Sequence, residues 1–200
     1  MTLINQSTIS DYNEDIMEKN KKDKEYYDYI LKHIECVKKA WETYFLPLLE
    51  ENFIIESVST SELKDAIRKA GKNIQNHDGS KFGDDEFDSY RAKYYPTIKE
   101  KNADPDTKSI IEDEYEKAWD HHVKCNPHHP KHWIDPITGE KKDMTLEYIV
   151  EMICDWEGVS LYFNDNTLRW YENDAIDEKE CFTDNTRRIV DDILYNLIHK

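Results

Sequence analysis

Apolar residues in this chain return every third or fourth position, segment after segment, and few long stretches alternate every second. That period belongs to the α-helix, in which positions i, i+3, i+4 and i+7 share a face. Ile30, Leu31, Ile34, Val37, Trp41, Tyr44, Phe45 and Leu48 make the first stripe. They predict a helix over about 24–51 that Pro47 kinks or ends. Ser59 and Glu62 have capping-box spacing and open a second helix, with Leu63, Ala66, Ile67, Ala70 and Ile74 inward. A short third helix is expected over 84–94, stopping before Pro96. Asp104-Pro105 starts a fourth, with Ile111, Tyr115, Ala118 and Trp119 inward and Pro127 at its end. Residues 126–143, NPHHPKHWIDPITGEKKD, read as a loop with a short hairpin around ITGE. A fifth helix is expected over 144–163, with Tyr148, Met152, Ile153 and Trp156 inward. Residues 164–184 read as irregular and acidic, and a last helix covers 185–199. Five glycines and six prolines in 200 residues leave little turn punctuation for a β fold. The expectation is an all-α, single-domain helical bundle over 24–200, preceded by a polar, loosely held segment, 1–23.

Charge narrows the function. Forty-three acidic groups against 27 basic ones give a net charge of −16. Such a chain has no general attraction for long nucleic acid or for an anionic membrane surface. A phosphorylated substrate would need the sign reversed locally, and bound metal cations are the obvious agents. No apolar leader opens the sequence and no apolar run reaches membrane-spanning length. Cys36, Cys125, Cys154 and Cys181 form no CxxC pair, so the expectation is a cytoplasmic protein with free thiols. Phosphate-loop, dinucleotide-loop, nucleophile-elbow and HExxH motifs do not occur.

Several of the eight histidines fall on inward faces. His77 continues the stripe Ile67, Ala70, Ile74 and is followed by Asp78. His122 continues Ile111, Tyr115, Ala118, whereas His121 shares a side with Glu114 and Lys117. His33 borders the face of Ile30 and Val37, and Asp155 lies three residues after Met152. Imidazole nitrogens and carboxylate oxygens together are the donors that Zn, Mn, Fe, Co and Ni sites use. Each residue alone has a plainer role: an inward histidine is more often a satisfied core residue, and Asp155 can cap or pair. Their coincidence is what points to a metal. His121 and His132 read as surface or supporting residues, and His199 as a cation at a helix C-terminus.

The order His33, His77-Asp78, His122, His128-His129, Asp155 resembles the HD-domain superfamily of metal-dependent phosphohydrolases. Members carry a histidine, a His-Asp doublet and a late aspartate on separate helices of an all-α bundle, and binuclear branches add a histidine and a His-His pair. His77-Asp78-Gly79-Ser80-Lys81 is also similar to the HD-x-x-K run of cyclic-nucleotide-type members. A nearer likeness joins HDGSKF, AWDHHVKCNPHHPKHW and EMICDW to small bacterial and phage proteins described only as uncharacterised, which suggests that the three phrases form one site.

The HD resemblance implies a bundle of that type with one or two divalent ions (Mn, Fe, Co, Ni or Zn). His33, His77, Asp78 and Asp155 would hold one ion, and His122 with His128 and/or His129 the other, with Asp78 bridging. Asp78 and Lys81 would serve the chemistry, hydrolysis of a phosphomonoester or phosphodiester in a nucleotide or related small molecule. Lys81 reads equally well as a helix C-terminal cation. Glu151, one turn before Asp155, is most simply a solvent-facing glutamate, and alternatively orients a ligand histidine. Tyr94, Tyr95, Trp119 and Trp133 could stack on a base, although packing is their plainer role. Two other classes remain: a catalytically silent module holding a nucleotide or partner, and a structural metal site stapling loop 126–143.

Overall fold

A computed structural model of the chain describes residues 6–199. Its regular structure is all helical: among the described residues there is no strand, only one isolated antiparallel bridge, Ile134–Lys141. That bridge closes the expected turn around ITGE, with Gly139 at φ +70°. The helices are α1 (Gln6–Ala40), α2 (Thr60–Asn73), α3 (Phe87–Tyr94), α4 (Ile98–Lys101), α5 (Pro105–Cys125), α6 (Leu146–Phe163), α7 (Thr167–Asn173), α8 (Ile176–Cys181) and α9 (Asp184–Ile193). None of the described helices is long and apolar enough to cross a membrane.

From Gln6 onward the polar segment 1–23 is helical and forms the start of α1; residues 1–5 lie outside the described residues. Its apolar residues are few, Ile9, Tyr12 and Ile16 at steps of three and four, and no apolar residue follows Met17 before Tyr26. Ion pairs one turn apart support it, Lys19 with Asp23 at 3.1 Å and Lys22 with Glu25 at 2.7 Å. Residues 164–184 correct an expectation: they are not irregular but hold α7 and α8. The Asn166 side chain caps α7 by accepting from Arg169 N–H, a signal too short to stand out. Pro47 acts as expected. The α1 winding loosens into a π turn over Trp41–Phe45 and tightens to a 3-10 turn over Leu46–Leu49 around it.

The described residues gather into two compact units, the first made of the chain up to Leu31 with Gly79–His122, the second of Lys32–Asp78 with Val123 onward. In the first, Tyr26 is fully buried and meets Phe87, Tyr90 and Tyr95 at ring-centroid distances of 5.1, 6.5 and 5.7 Å. Arg91 is buried beside them. Its Nη2 donates to Glu100 Oε1 at 2.7 Å, and its Nε lies 3.2 Å from Asp23 Oδ1. Glu100 also closes a capping box with Thr97 at the start of α4.

In the second unit α2 packs along α6, and α9 and the end of α1 complete the core. The predicted α2 stripe is buried throughout, and the Ser59–Glu62 capping box is present. The middle of α6 is buried nearly all round, Ile149, Val150, Ile153 and Cys154 included, which marks it as the central helix. Gly158 sets its distance from α1: a Cβ there would stand 2.8 Å from Val37 N and 2.9 Å from its Cα. Because those are backbone atoms, relaxation would have to move a helix.

Gly158→Ala should therefore lower stability by about 1–3 kcal/mol, read as a fall in melting temperature; an unchanged melt would contradict the close approach. The Arg91–Glu100 pair predicts a pH dependence. Burial raises the Glu100 carboxyl, but the Arg91 guanidinium and the Thr97 cap outweigh it and hold it below its ordinary value. Its stabilisation is thus complete above an unfolded pKa of about 4.3 and is lost as pH falls through the lower folded value. Glu100→Gln should flatten that acid limb of the stability curve.

Candidate metal centre

The close crossing at Gly158 aligns two side chains. Asp155 lies one turn before Gly158 on α6, and His33 one turn before Val37 on α1. Their Asp155 Oδ1 and His33 Nε2 atoms stand 3.1 Å apart. The other two members come from the end of α2. After α2 the chain tightens into a 3-10 turn, Ile74–Asn76, that leaves His77 as its cap and Asp78 at φ +53°. This left-handed conformation is uncommon outside glycine, costs on the order of 1 kcal/mol and clusters at functional sites. It turns the Asp78 carboxylate back on His33 and His77, with Oδ2 3.5 Å from His33 Nε2 and 3.8 Å from His77 Nε2. His77 Nε2 is 3.6 Å from Asp155 Oδ1.

These four separations run from 3.1 to 3.8 Å. His33, His77 and Asp155 each offer a donor atom within 4.8 Å of the other two, and Asp78 flanks this set through its contacts with the two histidines; donors ~2.1 Å from a tetrahedral ion stand about 3.4 Å apart. The donors are also chemically poised. His77 Nδ1–H donates to Glu151 Oε1 at 3.0 Å, which leaves Nε2 as the nitrogen that faces Asp78 and Asp155. That Nε2 is buried with no hydrogen-bond partner. A carboxylate behind the far nitrogen of an imidazole is the usual support of a metal-ligating histidine. The residue set could therefore hold a metal ion.

Asp78 faces two ways. Its Oδ1 lies 3.5 Å from His128 Nε2, and one donor atom each of Asp78, His128 and His129 fall within 4.8 Å of one another. The carboxylate thus presents one oxygen to His33 and His77 and the other to His128. His128 is fully buried and His129 half-buried. His128 Nδ1 lies 3.4 Å from Glu151 Oε1, so one carboxylate backs two imidazoles. This overturns the solvent-facing reading of Glu151, which is only 4% exposed. Sequence spacing gives little warning, because α6 buries residues on nearly every side.

Electrostatics follow from the burial. For His77, desolvation opposes the charged form, but Asp78, Asp155 and Glu151 outweigh it and raise the imidazole to about 10. Burial is outweighed at His33 too, by Asp155 and Asp78. Glu151 is held down at about 2, its burial overcome by His128 and His77, and Asp155 is held well below the carboxylate range by His33 and His77. Both shifts favour the charged imidazole. Glu178 on α8 was not marked by any pattern; burial and the Asp155 charge push its carboxyl up to about 7.

The other expected site residues lie in the first unit. His122 is fully buried, with Nδ1 2.8 Å from Glu86 Oε2. His121 Nδ1 lies 2.7 Å from Glu86 Oε1, so this fully buried carboxylate, unmarked in the sequence, accepts from two adjacent histidines. Lys81 places its ammonium 5.5 Å from the Tyr90 ring centroid. Of the candidate stacking residues, Tyr94 is 56% exposed and Tyr95, Trp119 and Trp133 are half-buried. Tyr94 and Tyr115 hydroxyls meet at 2.7 Å, Tyr95 lies against Tyr26, and Trp119 stacks on His122 at 5.8 Å. In the second unit, Trp133 Nε1 donates to Pro127 O at 2.7 Å and His132 Nδ1 to Val123 O at 2.8 Å, tying the loop down. His199 is not simply a helix-end cation: its Nε2 is 2.7 Å from the buried Glu157.

Glu151→Gln keeps the shape but removes the charge that supports His77 and His128. It should weaken metal binding by about 10–100-fold while the protein stays folded. Equal metal affinity would show that Glu151 only fills space.

No curated protein and no solved structure matches the chain. The profile of a family of unknown function, DUF5662, matches residues 22–196, nearly the whole chain and every residue of the metal centre. The chain therefore belongs to the DUF5662 family.

Proposed function

We propose that this protein is a metal-dependent phosphohydrolase of HD-domain type, acting on a phosphomonoester or phosphodiester of a nucleotide or related small molecule. The observation that carries the reading is the meeting of His33, His77, Asp78 and Asp155 donor atoms in a buried site backed by Glu151. The order of these residues is the one the HD resemblance requires. The overall charge of −16 adds a physical reason: a phosphorylated substrate approaches such a chain only where cations offset the carboxylates.

His33, His77, Asp78 and Asp155 would hold a first divalent ion (Mn, Fe, Co, Ni or Zn), and Asp78 with His128 or His129 contributes donors to a second. A divalent ion there supplies Lewis acidity toward a phosphoryl oxygen and a lowered pKa for water. The protein's own part is arrangement. Glu151 keeps the Nδ1 proton on His77, so that Nε2 faces the carboxylates. The left-handed Asp78 backbone aims its two oxygens at different histidines. Asp155, with 14% of its side chain exposed, is the most open of the four donors and marks the side from which a substrate would approach.

A second reading has an observation in its favour. His33, His77 and Asp78 side chains are at most 5% exposed, a degree of enclosure that suits a structural ion. Chelation separates the two, since losing a structural ion unfolds the chain, whereas losing a catalytic one silences it.

The test is elemental analysis of unchelated protein, followed by hydrolysis assays on nucleotide mono- and diesters with each metal added. We expect about one or two equivalents of a transition metal, loss of metal in His77→Ala and Asp78→Asn, and hydrolysis that disappears in both. Metal without hydrolysis would leave a silent binding module. Wild-type metal content in both variants would refute the site.

A further inference from the structure

Away from the metal centre, the first unit carries a small cavity of 230 Å³ lined by Tyr27, Phe82, Phe87, Asp84 and Asp88. Its composition is unusual. Tyr27 and Phe82 are exposed aromatic residues, 46% and 37% accessible. Their centroids are 5.2 Å apart and their planes meet at 61°, so the rings form two walls of a corner. Phe87, fixed by its contact with Tyr26 at 5.1 Å, lines the same cavity. Two exposed carboxylates, Asp84 and Asp88, complete the lining.

Ring faces carry negative electrostatic potential and attract cations, most effectively cations with a thin hydration shell. Carboxylates beside them add long-range attraction of the same sign. Asp88 already holds the Lys19 ammonium, with Nζ 2.9 Å from Oδ1, so Asp84 is the lining carboxylate left to face a further cation. A metal ion would want several oxygen donors, whereas three of the five lining residues present ring faces. The volume is below the ~300–1,000 Å³ of drug-sized sites, which suits one compact head group and excludes a nucleotide.

We propose that this corner is a binding site for a small alkylated ammonium compound, its methylated head against Tyr27, Phe82 and Phe87 and its charge facing Asp84. The site is independent of the metal centre and of the hydrolase reading.

Choline chloride titrated into the full chain, followed by NMR of the aromatic ring signals, tests it. The control ligand is 3,3-dimethylbutan-1-ol, the neutral isostere of choline. We expect saturable shifts with millimolar choline and binding of the isostere at least about tenfold weaker. Tyr27→Leu and Phe82→Leu, which keep apolar bulk but remove a ring face, should abolish the response while melting temperature and metal content hold. Asp84→Asn should weaken binding several-fold. Equal binding of the isostere, an undiminished response in both leucine variants, or no saturable response would each overturn the proposal.

Discussion

Three carboxylates, Asp78, Glu151 and Asp155, lie beside three imidazoles, His33, His77 and His128, in a largely dry part of the second unit. Each buried carboxylate carries an effective penalty of several kcal/mol unless positive charge accompanies it. That requirement organises the site. The shifts of His33 and His77 toward the charged imidazole meet part of it, and a metal ion held by these groups would meet more. Glu151 stands behind His77 and His128 as the fixed counter-charge that orients both rings.

The helices exist in the arrangement that allows this. Gly158 lets α6 reach the α1 backbone at Val37, and one turn back along both helices Asp155 meets His33. The α2 stripe locks that helix along α6, so that the turn after Ile74 delivers His77 opposite Glu151 and forces Asp78 into a left-handed conformation. Packing and chemistry are thus specified by the same surfaces.

Much of this is legible in the sequence, because helical period reports burial. His77 continues a stripe that is buried throughout, and His122 one of which Ala118 is buried while Ile111 and Tyr115 are half-buried; His33 lies between the buried Ile30 and Val37, and all three histidines are buried. What period cannot report is a buried acid on a helix covered on most sides, and Glu151 is such a residue. Glu86 lies just ahead of α3, where no stripe runs. The start of α1 escaped for the opposite reason: ion pairs along the helix support it where apolar residues are few. Caps in α4 and α7 were readable only as isolated short patterns, Thr97 with Glu100 and the Asn166 cap.

The central claim is that His33, His77, Asp78 and Asp155 are metal ligands, and X-ray absorption at the metal edge addresses it most directly. For protein loaded with one equivalent of cobalt, the account predicts a mixed nitrogen and oxygen shell. The outer-shell scattering should show at least two imidazole rings, and His77→Ala should remove one of them. A shell of oxygen alone, or imidazole scattering unchanged in that variant, would contradict it.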